Sequence, residues 1–295
     1  MGLKFSKASD FAQVFVKVLL YGLSGVGKTW AAASAGADPA RVLVALCEAQ
    51  GRLQVAQSNP QATVVEINSW GDWLELQKLM GMKHSGCSGE GCDDCRDTGL
   101  EMRARFDLLV VDGYTDLQRY SKLLVETASD RPRNNQSLRE GVLGMDDWQV
   151  VGNMMLRQFS GLRDVPIHVV ATCIGEEQQD GDVLRARPYL QGQAKATVGQ
   201  FHSLVACLRT RADDQGNVER YAILDSPNRS VIAKGNIRLN AIEPVNVADW
   251  ISKVLGQIPP QVDAPSAPEP QDNQDQDNGQ GSNDEGQQAQ EGAAS

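Results

Sequence analysis

Short apolar runs alternate with segments of helical periodicity over most of the chain. Five runs have the length and composition of buried strands, and they cover residues 14–21, 41–46, 62–67, 107–111 and 167–173. Helical patterns follow the first, third and fourth runs, and a longer one occupies residues 148–162. Because strands that alternate with helices build parallel sheets covered on both faces, the pattern predicts an α/β domain.

The pattern changes after the fifth run. Residues 128–146 and 175–200 are polar, and both predict loops, the second of them mobile. Two apolar stretches at 203–210 and 218–224 flank turn-forming residues and predict an antiparallel hairpin at one edge of the sheet. A further short strand or turn is expected around Ile232, Ile237 and Leu239, and residues 246–255 predict a closing helix.

A phosphate-binding loop follows the first predicted strand. The segment reads Gly22-Leu23-Ser24-Gly25-Val26-Gly27-Lys28-Thr29 and fits the pattern G-x-x-x-x-G-K-[ST] at every fixed position. Glycines let the backbone aim its N–H groups at phosphate oxygens, Lys28 reaches the β- and γ-phosphates, and the Thr29 hydroxyl holds Mg²⁺. The sequence therefore predicts that the chain binds a nucleoside triphosphate, and it leaves open the choice between ATP and GTP.

Two acidic residues end predicted strands. Asp112 follows the apolar run 108–111, which is the form of a Walker B strand, and we expect it to bind Mg²⁺ through water or to orient Thr29. Glu48 ends the second strand, where a carboxylate can polarise a water for attack on the γ-phosphate. From position alone, Glu48 can equally be a solvated loop residue.

Four soft metal ligands lie close together in a glycine-rich insertion at residues 83–97. His84, Cys87, Cys92 and Cys95 have the spacing H-x₂-C-x₄-C-x₂-C, which suits one structural zinc ion in tetrahedral coordination. A metal-free glycine-rich loop and redox chemistry are the alternatives. The other three cysteines, at positions 47, 173 and 207, lie in apolar runs and are expected to be small buried side chains.

The charge of the chain is concentrated near its C-terminus. The formal net charge is −10, but eight acidic residues and no basic residue follow Lys253, which leaves a body close to −2. Residues 259–295 are rich in Gln, Asn, Asp, Gly and Pro, so we expect a disordered acidic tail behind a folded domain at 1–258. The tail is either a solubilising end, or a segment that competes with DNA or recruits a partner. No membrane span or secretory leader is recognisable, so we expect a cytoplasmic protein.

The order of these motifs resembles the RecA ATPase core. Residues 22–29, then 46–53 and 108–113, and finally the long helix running into the strand at 167–172 occur in that order. The chain resembles phage-encoded RecA-like, AAA-type nucleotide-binding proteins, including those that act as ATP-dependent single-strand annealing proteins in recombination. The resemblance covers roughly residues 14–240, and its most specific parts are the phosphate-binding loop and the Walker B strand.

The resemblance implies a Mg²⁺-dependent ATPase that binds single-stranded DNA and promotes annealing or recombination as a homo-oligomer, in a bacterial host cytoplasm if the protein is phage-encoded. It implies that Glu48 activates water, and that the acidic tail recruits single-strand-binding protein or another recombination protein. Two basic stretches would contact DNA, with ordinary solvated loops as the alternative, and one of two basic residues would reach a neighbouring subunit's phosphate. The first stretch contains Arg131, Arg133 and Arg139, the second contains Arg185, Arg187 and Lys195, and the residues acting in trans are Lys234 or Arg238.

The chain departs from the RecA pattern at one position. RecA-type proteins place a glutamine that senses the γ-phosphate at the end of the fifth strand, where this chain has Thr172 and Cys173. This difference puts coupling between DNA and ATP through that position in doubt. The alternative function is a nucleotide-gated adaptor or packaging-type NTPase that acts on a protein partner, and a small-molecule kinase is a weaker third possibility.

Overall fold

A computed structural model describes the following parts of the chain: residues 15–82, 93–128, 143–180, 183–213, 215–226 and 230–256. In these parts, nine strands and eight α-helices follow one another along the chain. The strands are β1 (Lys17–Gly22), β2 (Val42–Leu46), β3 (Thr63–Glu66), β4 (Leu108–Asp112), β5 (His168–Asp180), β6 (Val183–Pro188), β7 (Leu204–Ala212), β8 (Val218–Ile223) and β9 (Ile242–Pro244). The helices are α1 (Lys28–Ala33), α2 (Arg52–Ser58), α3 (Trp70–Leu79), α4 (Asp93–Arg105), α5 (Tyr114–Thr127), α6 (Met145–Asp164), α7 (Gly192–Thr197) and α8 (Val247–Val254).

The strands form one mixed sheet in the order β3-β2-β4-β5-β1-β7-β8-β9, with β6 paired to β5 outside this path. All pairs from β3 to β7 are parallel, whereas β7–β8, β8–β9 and β5–β6 are antiparallel. The predicted α/β fold, a RecA-like P-loop core with a mostly parallel sheet and an antiparallel hairpin at one edge, is confirmed. One strand, β5, lies between the strand that enters the glycine loop and the strand that ends in Asp112.

Alternate residues of the central strand β1 face two separate hydrophobic cores. Leu19 and Tyr21 pack in the core that contains α3, α5 and α6, whereas Val18 and Leu20 pack in the core that contains α1 and α8. Side chains of a strand alternate between its two faces, so a continuous apolar run is the sequence of a strand covered on both sides. In the described residues, no helix is long and apolar enough to cross a membrane.

Helix caps confirm two of the predicted helix starts. The Ser69 hydroxyl accepts the N–H of Asp72 at 3.2 Å, and the Asp72 carboxylate in turn accepts the N–H of Asn68 at 2.8 Å. The Asn246 side chain accepts the N–H of Asp249 at 3.1 Å at the start of α8. Each side-chain oxygen satisfies a backbone donor that the first helical turn leaves without a partner.

The prediction of a mobile loop at residues 175–200 was wrong. Strand β5 continues beyond the parallel sheet to Asp180 and pairs with β6 to form a hairpin, here called the β5–β6 arm, and α7 follows it. From Gly175 to Asp180, the backbone partners of β5 come from β6 rather than from the main sheet, and Tyr189 N–H adds a bond to Ile174 O at 2.7 Å. Polar side chains conceal this strand in the sequence, because neither of its faces needs to be apolar there.

Smaller differences concern segments whose sequences gave little signal. Helix α4 has few apolar positions and was not predicted, and neither was the short helix α2. The segment around Ile232 and Ile237 contains two isolated bridges and a turn, with Ile237 fully exposed, while the last strand, β9, lies further along. The predicted acidic tail and the first basic stretch, apart from its two ends, lie outside the described residues.

A close approach of two glycines fixes the position of the glycine loop. A Cβ added to Gly175 would lie 2.7 Å from Gly22 Cα, which is closer than real Cβ contacts, whereas one added to Gly152 in α6 would meet nothing within 4 Å.

We expect Gly175→Ala to lower the free energy of unfolding by about 1–3 kcal/mol, because overpacking forces the two strands apart. Gly152→Ala is the matched control and should raise it by about 1 kcal/mol, since alanine favours the helix. Urea denaturation followed by circular dichroism measures both values, and equal effects would contradict the close approach.

Candidate nucleotide-binding site

The glycine loop joins the end of β1 to the start of α1. Gly25 and Gly27 have φ angles of +83° and +94°, in the left-handed region that glycine enters without strain. Lys28 lies across the loop, and its Nζ donates to the carbonyl oxygens of Gly22 at 3.0 Å and Leu23 at 2.8 Å. Burial lowers the pKa of Lys28, and the nearby Asp112 carboxylate opposes that shift. The ammonium group is therefore held at the mouth of the loop, where an anion would bind.

Asp112 is held between two hydroxyl groups. Thr29 Oγ1 donates to its Oδ2 at 2.9 Å, and Thr172 Oγ1 donates to its Oδ1 at 2.5 Å. The Asp112 side chain is buried, which raises its pKa, and the hydrogen bonds from Thr172 and Thr29 oppose that rise. A carboxylate and a hydroxyl at this distance are hard oxygen donors of the kind that Mg²⁺ takes together with phosphate oxygens. The residues fit the metal that the motif implies.

Glu48 lies at the end of β2, directly before a short 3₁₀ turn over Ala49–Gly51. Its side chain is exposed to the same cavity as Lys28 and Asp112. Partial burial raises the pKa of Glu48, and the carboxylates of Asp116 and Asp112 raise it further, while Lys28 opposes them. A carboxylate with a raised pKa beside a phosphate site is suited to accept a proton from water.

One cavity of about 1040 Å³ contains the predicted loop, Glu48 and Asp112 together. Sequence reasoning missed other residues that line it. Asp116 could have been recognised in the sequence, because it lies in the first turn of α5, four residues after Asp112, and burial raises its pKa. No local sequence pattern identifies Arg220, since it lies in a polar strand whose position beside the loop depends on sheet pairing. The cavity is also lined by Trp30, Asp116, Thr172, Arg220 and Val245.

The second group of predicted DNA contacts lies on and beside the β5–β6 arm. Arg187 Nε contacts Glu176 Oε1 at 2.7 Å, and Lys195 forms an ion pair with the same carboxylate. Arg185 is exposed on β6. The structure therefore places Arg185 and Arg187 on the hairpin and Lys195 in α7 beside it, and Arg187 and Lys195 share one carboxylate partner.

Lys234 and Arg238 do not line this cavity. Lys234 pairs through its backbone with Val205 near the start of β7, and its Nζ donates to His202 O at 2.7 Å. Because β7 is parallel to β1, the start of β7 lies at the sheet edge opposite the glycine loop. Arg238 Nη1 donates to Lys253 O at 3.4 Å. A role toward a neighbouring subunit stays a prediction for both residues.

Several predicted site residues cannot be located. His84, Cys87 and Cys92 lie outside the described residues, as do Arg131, Arg133 and Arg139, and only the backbone of Cys95 is described, at the start of α4. The zinc site therefore stays a prediction. In the segments that the structure does describe, no group of three metal-ligating side chains is found, and Cys47, Cys173 and Cys207 are buried and free, as predicted.

Comparisons with known proteins identify the family of this chain. A family model described as an AAA domain matches residues 15–237. Among solved structures, the flagellar accessory protein FlaH from Methanocaldococcus jannaschii is similar at 9% identity, with 79% of this chain and 87% of that chain covered and a TM-score of 0.33. No curated protein matches the sequence. The family model covers well over half of the chain and includes the glycine loop, Glu48 and Asp112, so the chain belongs to the AAA domain family, which implies the use of a nucleotide and Mg²⁺.

Proposed function

We propose that the protein binds and hydrolyses ATP with Mg²⁺ and uses this reaction to act on single-stranded DNA in annealing or recombination. The observation that carries the ATPase part is the convergence of Lys28, Thr29, Asp112 and Glu48 on one cavity. We further propose that it acts in the cytoplasm as a homo-oligomer, with Lys234 or Arg238 reaching a neighbour's phosphates.

Each residue has a separate task in the proposed reaction. Backbone N–H groups of the glycine loop bind the phosphates, and Lys28 exchanges its carbonyl partners for phosphate oxygens. Mg²⁺, when bound through Thr29 and Asp112, neutralises charge that develops on the phosphates. Glu48 orients the attacking water and accepts its proton, and Thr172 keeps the Asp112 carboxylate in position.

The DNA part of the proposal is supported by the continuity of β5. The same strand provides Thr172, which contacts Asp112, and then runs into the β5–β6 arm with Arg185 and Arg187. We propose that this strand passes a change at Asp112 to the arm. Arginines on such an arm suit the backbone of a single strand.

A second function is favoured by the ion pairs of the arm. Glu176 pairs with Arg187 and Lys195, and Glu177 pairs with Arg209, so three cations near the arm already have carboxylate partners. Binding of DNA phosphates must displace these carboxylates, whereas a protein partner can use the mixed charges as they are. The alternative is therefore a nucleotide-gated adaptor or packaging-type NTPase whose acidic tail binds the partner.

Lys28→Ala tests the phosphate site. We expect loss of measurable ATP binding in calorimetry, because the variant lacks the only side-chain ammonium at the loop among the described residues. Arg157→Ala, at an exposed position of α6, is the control and should bind ATP as the wild type does. Unchanged affinity in Lys28→Ala would contradict the assigned site.

Glu48→Gln separates binding from hydrolysis. We expect unchanged ATP affinity and a hydrolysis rate reduced by about 10²–10⁴-fold, since the amide cannot accept a proton. In the wild type, hydrolysis requires ionised Glu48, so the rate should fall as the pH drops through its raised pKa. The residual rate of Glu48→Gln should not show this fall. Phosphate release measured across pH gives both results, and a loss of ATP binding in the variant would refute the role.

Binding of a labelled single-stranded oligonucleotide tests the DNA proposal. Fluorescence polarisation should show binding at modest salt, with a weaker salt dependence in Arg185→Ala/Arg187→Ala, because fewer phosphate contacts remain. Arg163→Ala is the matched control, since Arg163 is also ion-paired but lies at the end of α6.

Two results would contradict the proposed DNA binding. No polarisation change in the wild type, with or without ATP, excludes the DNA role, and equal salt dependence in the double variant removes the arm from it. Deletion of residues 259–295 addresses the alternative. Lost capture of a protein partner, with no DNA binding before or after deletion, is the expected result for an adaptor.

A further inference from the structure

The nucleotide cavity extends beyond the residues that the motifs account for. Glu48 and Asp112 lie on its β2–β4 side, while Arg220 of β8 and the turn from β9 into α8 lie on the other side of the glycine loop. The loop and Thr29 would hold phosphates between these two ends. Since the metal and the water belong to the Glu48 side, the opposite side is left for the rest of the nucleotide.

Trp30 presents an apolar surface to the same cavity. It follows Thr29 in α1, and 49% of its surface is exposed, although the next three residues of the helix are buried. The residue lines the cavity, and its indole makes no ring contact or hydrogen bond within the part of the chain that the structure describes. An exposed indole in the wall of a nucleotide cavity is a stacking surface for a base.

Arg220 contrasts with the other arginines near it. Arg187, Arg209 and Arg211 each have a carboxylate partner, whereas Arg220 has no ion pair within the described part of the chain. Its Cδ and Nε pack against the loop, each 3.3 Å from the position of a Cβ added to Gly27. A guanidinium that lies beside the glycine loop without a carboxylate partner is placed to bind an anion there.

The turn at residues 244–246, which forms another wall of the cavity, is held in place by hydrogen bonds. Pro244 O accepts the Nε1–H of Trp250 at 3.1 Å, and Trp250 is fully buried. Asn246 caps α8, so Val245 is fixed between two anchored residues. Walls that are formed before a ligand arrives reduce the entropy lost on binding.

We propose that Trp30, Arg220 and the 244–246 turn form a nucleoside subsite, in which the base stacks on Trp30 and Arg220 binds the phosphate end nearest the ribose. This inference rests on the proposed nucleotide binding and adds residues that the loop motif does not contain. It assigns the base to the β8–β9 side of the loop and the γ-phosphate to the Glu48 side.

The test compares ATP with inorganic tripolyphosphate, which has the phosphates but no nucleoside. Dissociation constants with Mg²⁺ are measured by calorimetry for the wild type, Trp30→Ala, Trp30→Phe and Arg220→Ala. Trp30→Ala should bind ATP about tenfold more weakly, as loss of base stacking implies, and tripolyphosphate unchanged. Trp30→Phe keeps a ring and should recover most of the ATP affinity. Arg220→Ala should weaken both ligands.

Controls and contrary results separate this inference from the proposed function. Trp148→Ala and Arg157→Ala remove the same side-chain types from α6, outside the cavity lining, and should bind both ligands as the wild type does. Equal ATP affinity in Trp30→Ala and the wild type overturns the subsite alone, and so does an equal loss of both ligands in Trp30→Ala. Wild-type protein that binds neither ATP nor tripolyphosphate overturns the proposed function together with the subsite.

Discussion

Two hydroxyl groups hold the Asp112 carboxylate where three elements of the fold meet, and the geometry of the site depends on these bonds. Thr29 lies at the start of α1, Thr172 lies in β5, and Asp112 itself ends β4. The carboxylate is 3% exposed, so its charge would be costly without the two donors and the nearby ammonium of Lys28. The register of the parallel strands places Thr172 beside Leu20, two residues before the loop begins. Loop, metal ligands and strand β5 therefore form one connected unit.

The basic residues around the β5–β6 arm differ from those at the nucleotide cavity in their carboxylate partners. Cations around the β5–β6 arm are paired with Glu176 and Glu177, while Arg220 at the cavity has no such partner among the described residues. Exposed ion pairs add little to stability, and their effect on the arm is to fix its shape and reduce its net charge. A ligand of the arm has to compete with internal carboxylates. An anion in the cavity meets Lys28 and Arg220 without that competition.

The predictable parts of the fold are those in which local sequence and tertiary structure require the same residues. The parallel strands are buried on both faces, so their apolar runs are visible, and helices α3 and α8 begin at side chains that cap them. The polar strand from Gly175 to Asp180 and the polar helix α4 were missed because their stability depends on pairing or packing with other segments. Ala186 and Leu190, which are buried beside that strand, carry too short a pattern to identify it.

The sequence by itself determined the phosphate loop, the strand that ends in Asp112 and the α/β class, because each requires particular residues within a short span. Left-handed positions require Gly25 and Gly27, and a buried parallel strand requires its apolar run. Only the tertiary structure decided that Thr172 contacts Asp112, that Arg187 and Lys195 are paired, and that Arg220 and Trp30 line the same cavity. These neighbours are far apart in the chain, and strand order and register, which no single segment encodes, bring them together.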